Sequence, residues 1–287
     1  MTCPICNSEA TIKPRSGILQ CPDCGHAFRH PIPDVSDRYK SFDYWKQDRE
    51  HSGITDIGPG DHWNGYIGGR IGFMEKCGVL HEPPQSILEI GCSEGALLNH
   101  LMLLGYDVMG IEVNKEIVRR ARETYPKVFI VPTDFMGCDF QELGCDTILS
   151  FHTFEHLPDP MAATKKCAEL LNPGGHLLIE VPYGPDEYDN PDHLHFFSVE
   201  SAERMMREHF TNVGTIRNSY RTKAGILMGS VVVCGTNIYS GKAAREHTPL
   251  VSPEELFHLY GPIGEAFWED TPKEVQDWFR MVANKLY

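Results

Sequence analysis

Positive charge is scarce in this chain. Of 287 residues, 26 are Lys or Arg against 40 Asp or Glu, and the formal net charge is -14. Such a surface repels phosphate backbones and anionic headgroups, so general binding to nucleic acid or acidic membranes is disfavoured. No apolar run approaches the ~20 residues that cross a bilayer. The opening Met1-Thr2-Cys3-Pro4 has no basic segment and apolar core, so no signal peptide is expected and the expected compartment is the cytoplasm. Internal repeats and low-complexity tracts are absent as well. What is present suits a folded chain: 41% hydrophobic and 23% charged residues support a sizeable core. The length fits one large α/β domain of roughly 200 residues plus an appendage.

Cysteine is plentiful and unevenly placed. Four of the ten lie within the first 24 residues; Cys77, Cys92, Cys138, Cys145, Cys167 and Cys234 are scattered and read as reduced, mostly buried thiols. Cys3-Pro4-Ile5-Cys6 is followed after fourteen residues by Cys21-Pro22-Asp23-Cys24-Gly25. Two such pairs suit a tetrahedral zinc site, each wrapping a tight knuckle, with Gly25 where positive φ is commonly needed. About 30 residues bury too little apolar surface to fold alone, so ligation supplies the missing stability. A closed four-thiolate shell makes the metal structural, with Cys3, Cys6, Cys21 and Cys24 as ligands. Replacement of one thiolate by His26 is the lesser alternative. A docking role and a bracing role for this unit both stay open.

The chain divides into a zinc ribbon over 1–30, a connector and helical cap over 31–85, a regular α/β region over 86–236 and a helical extension over 237–287. The connector is rich in Pro, Gly and aromatics, among them Tyr39, Phe42, Tyr44 and Trp45, which could form a lid or simply pack. A short helix is predicted over Arg70–Gly78. From Ser86, short apolar runs alternate with helical stretches, the pattern of βαβ units and a parallel sheet. Strands are predicted at 86–91, 107–112, 128–131, 146–151 and 176–181, helices at 95–104, 115–125, 160–171 and 198–209. Residues 212–217 and 229–235 read as a closing antiparallel pair.

Ile87-Leu88-Glu89-Ile90-Gly91-Cys92-Ser93-Glu94-Gly95 runs from a buried strand through a turn into a helix. A dinucleotide site would have G-x-G-x-x-G, whose glycines admit a pyrophosphate. Here Ser93 takes the middle position and Glu89 precedes the turn, where a pyrophosphate would be repelled and a cationic ligand, such as an amino-acid ammonium, would be welcome. Glu112 ends the second strand, where a carboxylate accepts both hydroxyls of a ribose. Asp134, after the third strand, can accept an adenine amino group, with Phe135 packing on the ring. Each acid alone could be an exposed loop charge. Together they stand at the carboxyl ends of three successive strands, where open α/β sheets bind ligands.

With those residues in view, 86–236 resembles a class I S-adenosylmethionine-dependent methyltransferase. The motifs that carry the likeness are Leu88-Glu89-Ile90-Gly91-Cys92-Ser93-Glu94-Gly95, Gly110-Ile111-Glu112, Thr133-Asp134-Phe135, the run from Asp146 through Phe154-Glu155-His156-Leu157-Pro158-Asp159 to Pro160, and Leu170 through Pro173-Gly174-Gly175 to Ile179. Ser93 departs from the family's middle glycine. The resemblance implies a Rossmann-like seven-stranded α/β sheet with a reversed last strand, carrying a small N-terminal zinc ribbon. It implies S-adenosylmethionine as cofactor, held by Glu89, Gly91, Cys92, Ser93, Gly95, Glu112, Val113, Asp134 and Phe135, with Phe151 and His152 on the methionine side. The ribbon, the aromatic connector and Asp192-His193-Leu194-His195-Phe196-Phe197-Ser198 resemble bacterial methyltransferases of sugar, surface-polysaccharide or natural-product pathways.

A hydroxyl acceptor is helped by a base with a pKa near the working pH, and histidine is the natural choice. His195, His193 and His152 are the candidates. His193 and His195 could instead hold a divalent cation with Asp192, or be structural. Glu155-His156 supports its loop or joins the chemistry. The acidic run Asp186, Glu187, Asp189 and Asp192 is a solvated loop or attracts a cationic substrate group. The expected reaction is methyl transfer to a hydroxyl or amine of a small-molecule acceptor, without nucleic acid or membrane partners, with a homodimer left open and the Trp268–Tyr287 helix serving core or dimer packing. The alternatives are an RNA methyltransferase and a non-catalytic module that keeps its cofactor site.

Overall fold

The computed structural model describes residues 1–9, 12–43, 61–138, 144–183, 190–221 and 227–238. The C-terminal extension expected over 237–287 lies almost wholly outside those residues, as do Tyr44, Trp45, Asp186, Glu187 and Asp189.

The elements in chain order are β1 (Ile12–Arg15), β2 (Ile18–Gln20), β3 (Ala27–Arg29), α1 (Ser36–Tyr39), α2 (Asp61–Lys76), β4 (Ser86–Ile90), α3 (Ala96–Leu103), β5 (Asp107–Glu112), α4 (Lys115–Thr124), β6 (Phe129–Pro132), β7 (Cys145–Phe151), α5 (Pro160–Leu170), β8 (Leu171–Pro182), β9 (His195–Phe196), α6 (Val199–Arg207), β10 (Phe210–Arg221) and β11 (Leu227–Asn237). Seven strands form one sheet in the order β10-β11-β8-β7-β4-β5-β6. The neighbours from β8 through β6 are parallel, while β11 runs antiparallel to both β8 and β10. This is the expected sheet with one reversed strand.

β4 is buried along its whole length, as a strand covered on both faces must be. Its alternation divides the core. Leu88 and Ile90 join one apolar cluster, with Met109, Ile111, Ile148 and Phe154. Ile87 joins the other, with Met74 of α2 and Leu97 and Leu98 of α3. Glu89 has the parity of Ile87, so it belongs to the face that α2 covers. α2 begins nine residues before the predicted helix. Gly65, Gly68 and Gly69 weaken the helical signal of its first half.

The ribbon is joined to the sheet domain by backbone and side-chain bonds. β1, β2 and β3 form a small antiparallel sheet whose fourth strand is β9. Ala27 pairs with Phe196 and Phe28 with His195. Ser198 caps α6 through a reciprocal box with Ser201 and also donates from Oγ to the carbonyl of Cys24 at 2.5 Å. Arg29 donates to the carbonyls of His193 (2.8 Å) and Asn190 (2.7 Å). Cys3, Ile5, Cys21 and Cys24 lie in the same apolar cluster as Phe197 and Met205.

Candidate active site

The loop after β4 has a backbone only certain residues tolerate. Gly91 and Gly95 have φ of 72° and 73°, and Ser93, at 49°, shares the left-handed region. A Cβ on Gly91 would stand 2.2 Å from Thr153 Oγ1, so glycine is required twice over there. Across the turn, a Cβ on Gly110 would meet Cys92 Sγ at 2.4 Å. Cys92 is thereby a buried packing residue wedged against β5.

Glu112 closes this loop. Its carboxylate accepts the N–H of Ser93 at 3.0 Å and the N–H of Asn114 at 2.9 Å. Burial raises its pKa, and the backbone N–H groups, Val113's among them, work against that rise. Asn114 is the N-cap of α4, its Oδ1 accepting from Glu116 N and Ile117 N. Its Nδ2 donates to the carbonyl of Tyr39, tying the connector to the β5 end at 3.1 Å. Pro132 pairs with Glu112 across β5 and β6. Asp134, two residues on, is exposed and accepts from Met136 N at 3.0 Å. Phe135 is turned inward instead. It is 3% exposed and its ring packs against Lys166 Nζ, 4.9 Å from the centroid. The expectation that this ring stacks on an adenine does not fit that placement.

Glu89 meets a residue the sequence did not single out. Arg70 of α2 places Nη1 3.8 Å from Glu89 Oε1 and its guanidinium 4.1 Å from the centroid of the Phe151 ring. Glu89 is 2% exposed. Burial pushes its carboxyl up to about 8; Arg70 opposes the rise and Glu112 adds to it. A guanidinium, two carboxyl groups and an aromatic face thus meet at the ends of β4 and β7. The one clue in sequence was an arginine beside Gly68-Gly69 on a helix facing β4.

The histidines part company. His152 follows β7 at φ 53° and donates its N–H to the carbonyl of Glu180 at 2.9 Å. Its side chain is 31% exposed, with Nε2 3.7 Å from Glu180 Oε2 and Nδ1 3.6 Å from Glu155 Oε1. Glu180 is itself fixed by Ser230 Oγ at 2.6 Å. Burial lowers the His152 pKa, and the two carboxylates outweigh it, for a net rise. His193 lies on the same side, edge to face with His156 at 5.0 Å and with Nε2 3.0 Å from Asn190 Nδ2. His156 Nδ1 contacts the Tyr39 hydroxyl at 2.8 Å. Burial raises the Glu155 pKa, but His156, His152 and His193 hold the carboxyl at about 2.

His195 is elsewhere. It is 1% exposed, stacks on His26 at 5.3 Å and shares a 3.1 Å contact with its ring nitrogen. Burial drives its imidazole down to about 4. Because β9 is a strand, His193 and His195 do not share one open loop. The β3–β9 pairing takes His195 into the ribbon interface, so the expected base there does not fit its surroundings.

A family model described as a methyltransferase domain matches residues 71–213. An uncharacterized methyltransferase of Bacillus mycoides (strain KBAB4) is 32% identical over 154 residues, which is 52% of this chain and 68% of its own. One of Bacillus cereus (strain 03BB102) is 38% identical over the same shares. The chain belongs to the methyltransferase family. In fold it is similar to the Haemonchus contortus phosphoethanolamine N-methyltransferase 2 solved with phosphomonomethylethanolamine and S-adenosylhomocysteine. That match has a TM-score of 0.55 and 15% identity over 72% of this chain and 60% of the other. It is also similar to the N-methyltransferase NodS of Bradyrhizobium japonicum WM9, solved with S-adenosylhomocysteine, with a TM-score of 0.51 and 17% identity over 71% and 97%. At those identities the likeness is one of fold.

The methyltransferase's four N-terminal thiols fit a metal. Cys3 Sγ and Cys24 Sγ are 3.6 Å apart, Cys6 Sγ and Cys21 Sγ 3.5 Å, and all four lie within 4.8 Å of one another. Tetrahedral bonds of about 2.3 Å put sulfurs about 3.8 Å apart, whereas a disulfide needs about 2.05 Å. The N–H of Ile5 points to Cys3 Sγ at 3.5 Å, a contact that stabilises a thiolate. The set is compatible with a small zinc ribbon. His26 belongs instead to the stack against His195 and Phe197. Among the described residues no helix is long and apolar enough to cross a membrane.

Proposed function

We propose that this S-adenosylmethionine-dependent methyltransferase acts on a hydroxyl of a small molecule, a sugar, polysaccharide precursor or secondary metabolite, with His152 as the base. The observation that carries the reading is His152 itself: a partly exposed imidazole at the end of β7, flanked by Glu155 and Glu180, beside Arg70 and Glu89. Bound S-adenosylmethionine supplies an electrophilic methyl group on a sulfonium. Glu112 holds the ribose hydroxyls with the lone pairs its two N–H donors leave free. Asp134 takes the adenine amino group, and the backbone of Gly91 through Gly95 lets the nucleoside approach. Glu89 faces the cofactor's ammonium and Arg70 its carboxylate, a division their opposite charges favour. Phe151 lines the same side. Glu155 and Glu180 orient the His152 ring and stabilise its charge after it takes the acceptor's proton.

Zinc in the four-thiolate set is structural in this reading, and the cytoplasm, a reducing compartment, suits ten cysteines of which none forms a disulfide. The net charge of -14 favours a small acceptor over RNA.

The test is twofold. Calorimetry on zinc-replete protein is expected to give a Kd for S-adenosylhomocysteine in the micromolar range or below, about -8 kcal/mol. Its release from S-adenosylmethionine is then followed against nucleotide sugars, phenols, amines and bulk RNA. Turnover confined to hydroxyl acceptors supports the reading. Turnover on RNA alone supports the competing one, and absence of cofactor binding removes both.

A further inference from the structure

The side of the rim nearest His152 holds more ligating groups than a base requires. Glu155 is 1% exposed, and neither of its carboxylate oxygens has a hydrogen-bond partner among the described residues. A buried carboxylate without a hydrogen bond is costly. What surrounds it is imidazole. Oε1 lies 3.6 Å from His152 Nδ1 and 3.7 Å from His156 Nε2, and the His193 ring stands against that of His156. One ligand atom from each of Glu155, His156 and His193 falls within 4.8 Å of the other two.

His156 is held along its other edge. Its Nδ1 is 3.1 Å from the carbonyl oxygen of Asp192, which can only accept. The Tyr39 hydroxyl lies 2.9 Å from that same carbonyl and 2.8 Å from Nδ1. Nδ1 is thus engaged by Tyr39 and Asp192, and Nε2 faces the Glu155 carboxylate. A positive charge between them, a proton on Nε2 or a metal ion, answers the buried carboxylate. The N–H of Leu194 bonds to the carbonyl of Glu155 at 2.8 Å, so backbone holds the two contributing segments together.

We propose that Glu155, His156 and His193 bind a divalent transition-metal ion with coordination positions open toward His152. Bonds of about 2.1 Å let one ion join ligands roughly 3–4 Å apart. The 3.7 Å pair fits as it stands, and the wider separation closes with side-chain adjustment. Two imidazoles and one carboxylate favour manganese, iron, cobalt or zinc over magnesium or calcium. A cation here lowers the pKa of a hydroxyl brought beside His152. It also favours acceptors with two adjacent hydroxyls, which can chelate. This deepens the acceptor reading and rests on it only for that consequence.

Protein loaded with one equivalent of zinc, which fills the tighter four-thiolate site alone, is titrated with Mn²⁺ and followed by electron paramagnetic resonance. One Mn²⁺ per chain is expected, with nitrogen modulation in its spin echo from histidine ligation. Glu155→Gln and His193→Gln are each expected to weaken binding at least about tenfold. Absence of bound Mn²⁺, Mn²⁺ without nitrogen modulation, or undiminished binding in both folded variants overturns the proposal. The echo on the unaltered protein decides the matter if either variant fails to fold. Calorimetry with S-adenosylhomocysteine on the same samples separates failure of this site from failure of the cofactor reading.

Discussion

Two buried carboxylates on one sheet edge are treated in opposite ways. Glu112 receives two backbone N–H groups at 2.9 and 3.0 Å, both from within twenty residues of it. Glu155 receives none, and is faced at 3.6–3.7 Å by imidazoles. The first is preorganised by its own chain, the arrangement that suits a site whose ligand never changes. The second takes no hydrogen bond and faces imidazoles across longer distances, which suits the side we propose for the acceptor. The same contrast runs through the neighbours. Asn114 caps α4 and pins Tyr39, while Tyr39 reaches across to His156 and Asp192.

The largest break in this comparison should come at His152. His152→Gln is expected to lower kcat/KM by about 10²–10⁴ while leaving S-adenosylhomocysteine affinity within a few-fold. Equal losses in both would put His152 in cofactor binding. Glu112→Gln should do the reverse, weakening S-adenosylhomocysteine by about 10–100-fold, the loss of charged hydrogen bonds to ribose. An unchanged Kd by calorimetry would remove Glu112 from the site.

Removing the ribbon metal should separate the halves. Cys24→Ser, or chelation, is expected to cost several kcal/mol and lower Tm on the order of 10 °C. Hydrogen exchange should then rise first at β9 and around His193, before it rises at β4 and β5. Uniform loosening would mean that the ribbon braces the whole sheet rather than the acceptor half.

The smallest effect is in pH. Glu89 titrates at about 8 in the folded chain against an ordinary 4.5, because burial outweighs the nearby Arg70. Between those values the folded form holds one more proton than the unfolded. Its contribution is therefore full below about 4.5 and lost as pH rises through about 8. The Tm of the ligand-free protein should fall between pH 6 and 9, and less so in Glu89→Gln. A cofactor ammonium beside Glu89 should also expel that proton, seen at pH 7 as a calorimetric heat that depends on the buffer. An identical pH slope in Glu89→Gln would show that the carboxyl is not the titrating group.

The turn after β4 and the end of β5, where we propose the adenosine lies, were legible because their contacts are local. Gly91, Gly95 and Glu112 sit at fixed offsets from strands whose apolar runs are plain, and Gly110 closes the turn against Cys92. The histidine-rich side of the rim, proposed to meet the acceptor, was only partly legible, since it is built from the connector, the turn after β7 and the segment before β9. Nothing in the spacing of Tyr39, Glu155 and His193 announces that they meet. Arg70 was hidden by the glycines around it, and Glu180 by its place inside an apolar strand. His195 misled for the opposite reason: a polar residue in a loop-like run proved to be a strand residue, because the ribbon offered β3 as a partner.

The most direct test is a crystal structure of the zinc-replete protein with S-adenosylhomocysteine. Ribose hydroxyls are expected within about 3 Å of Glu112, with the sulfur turned toward His152. A nucleoside bound away from Glu112, or a sulfur directed to the opposite side from His152, would contradict that expectation.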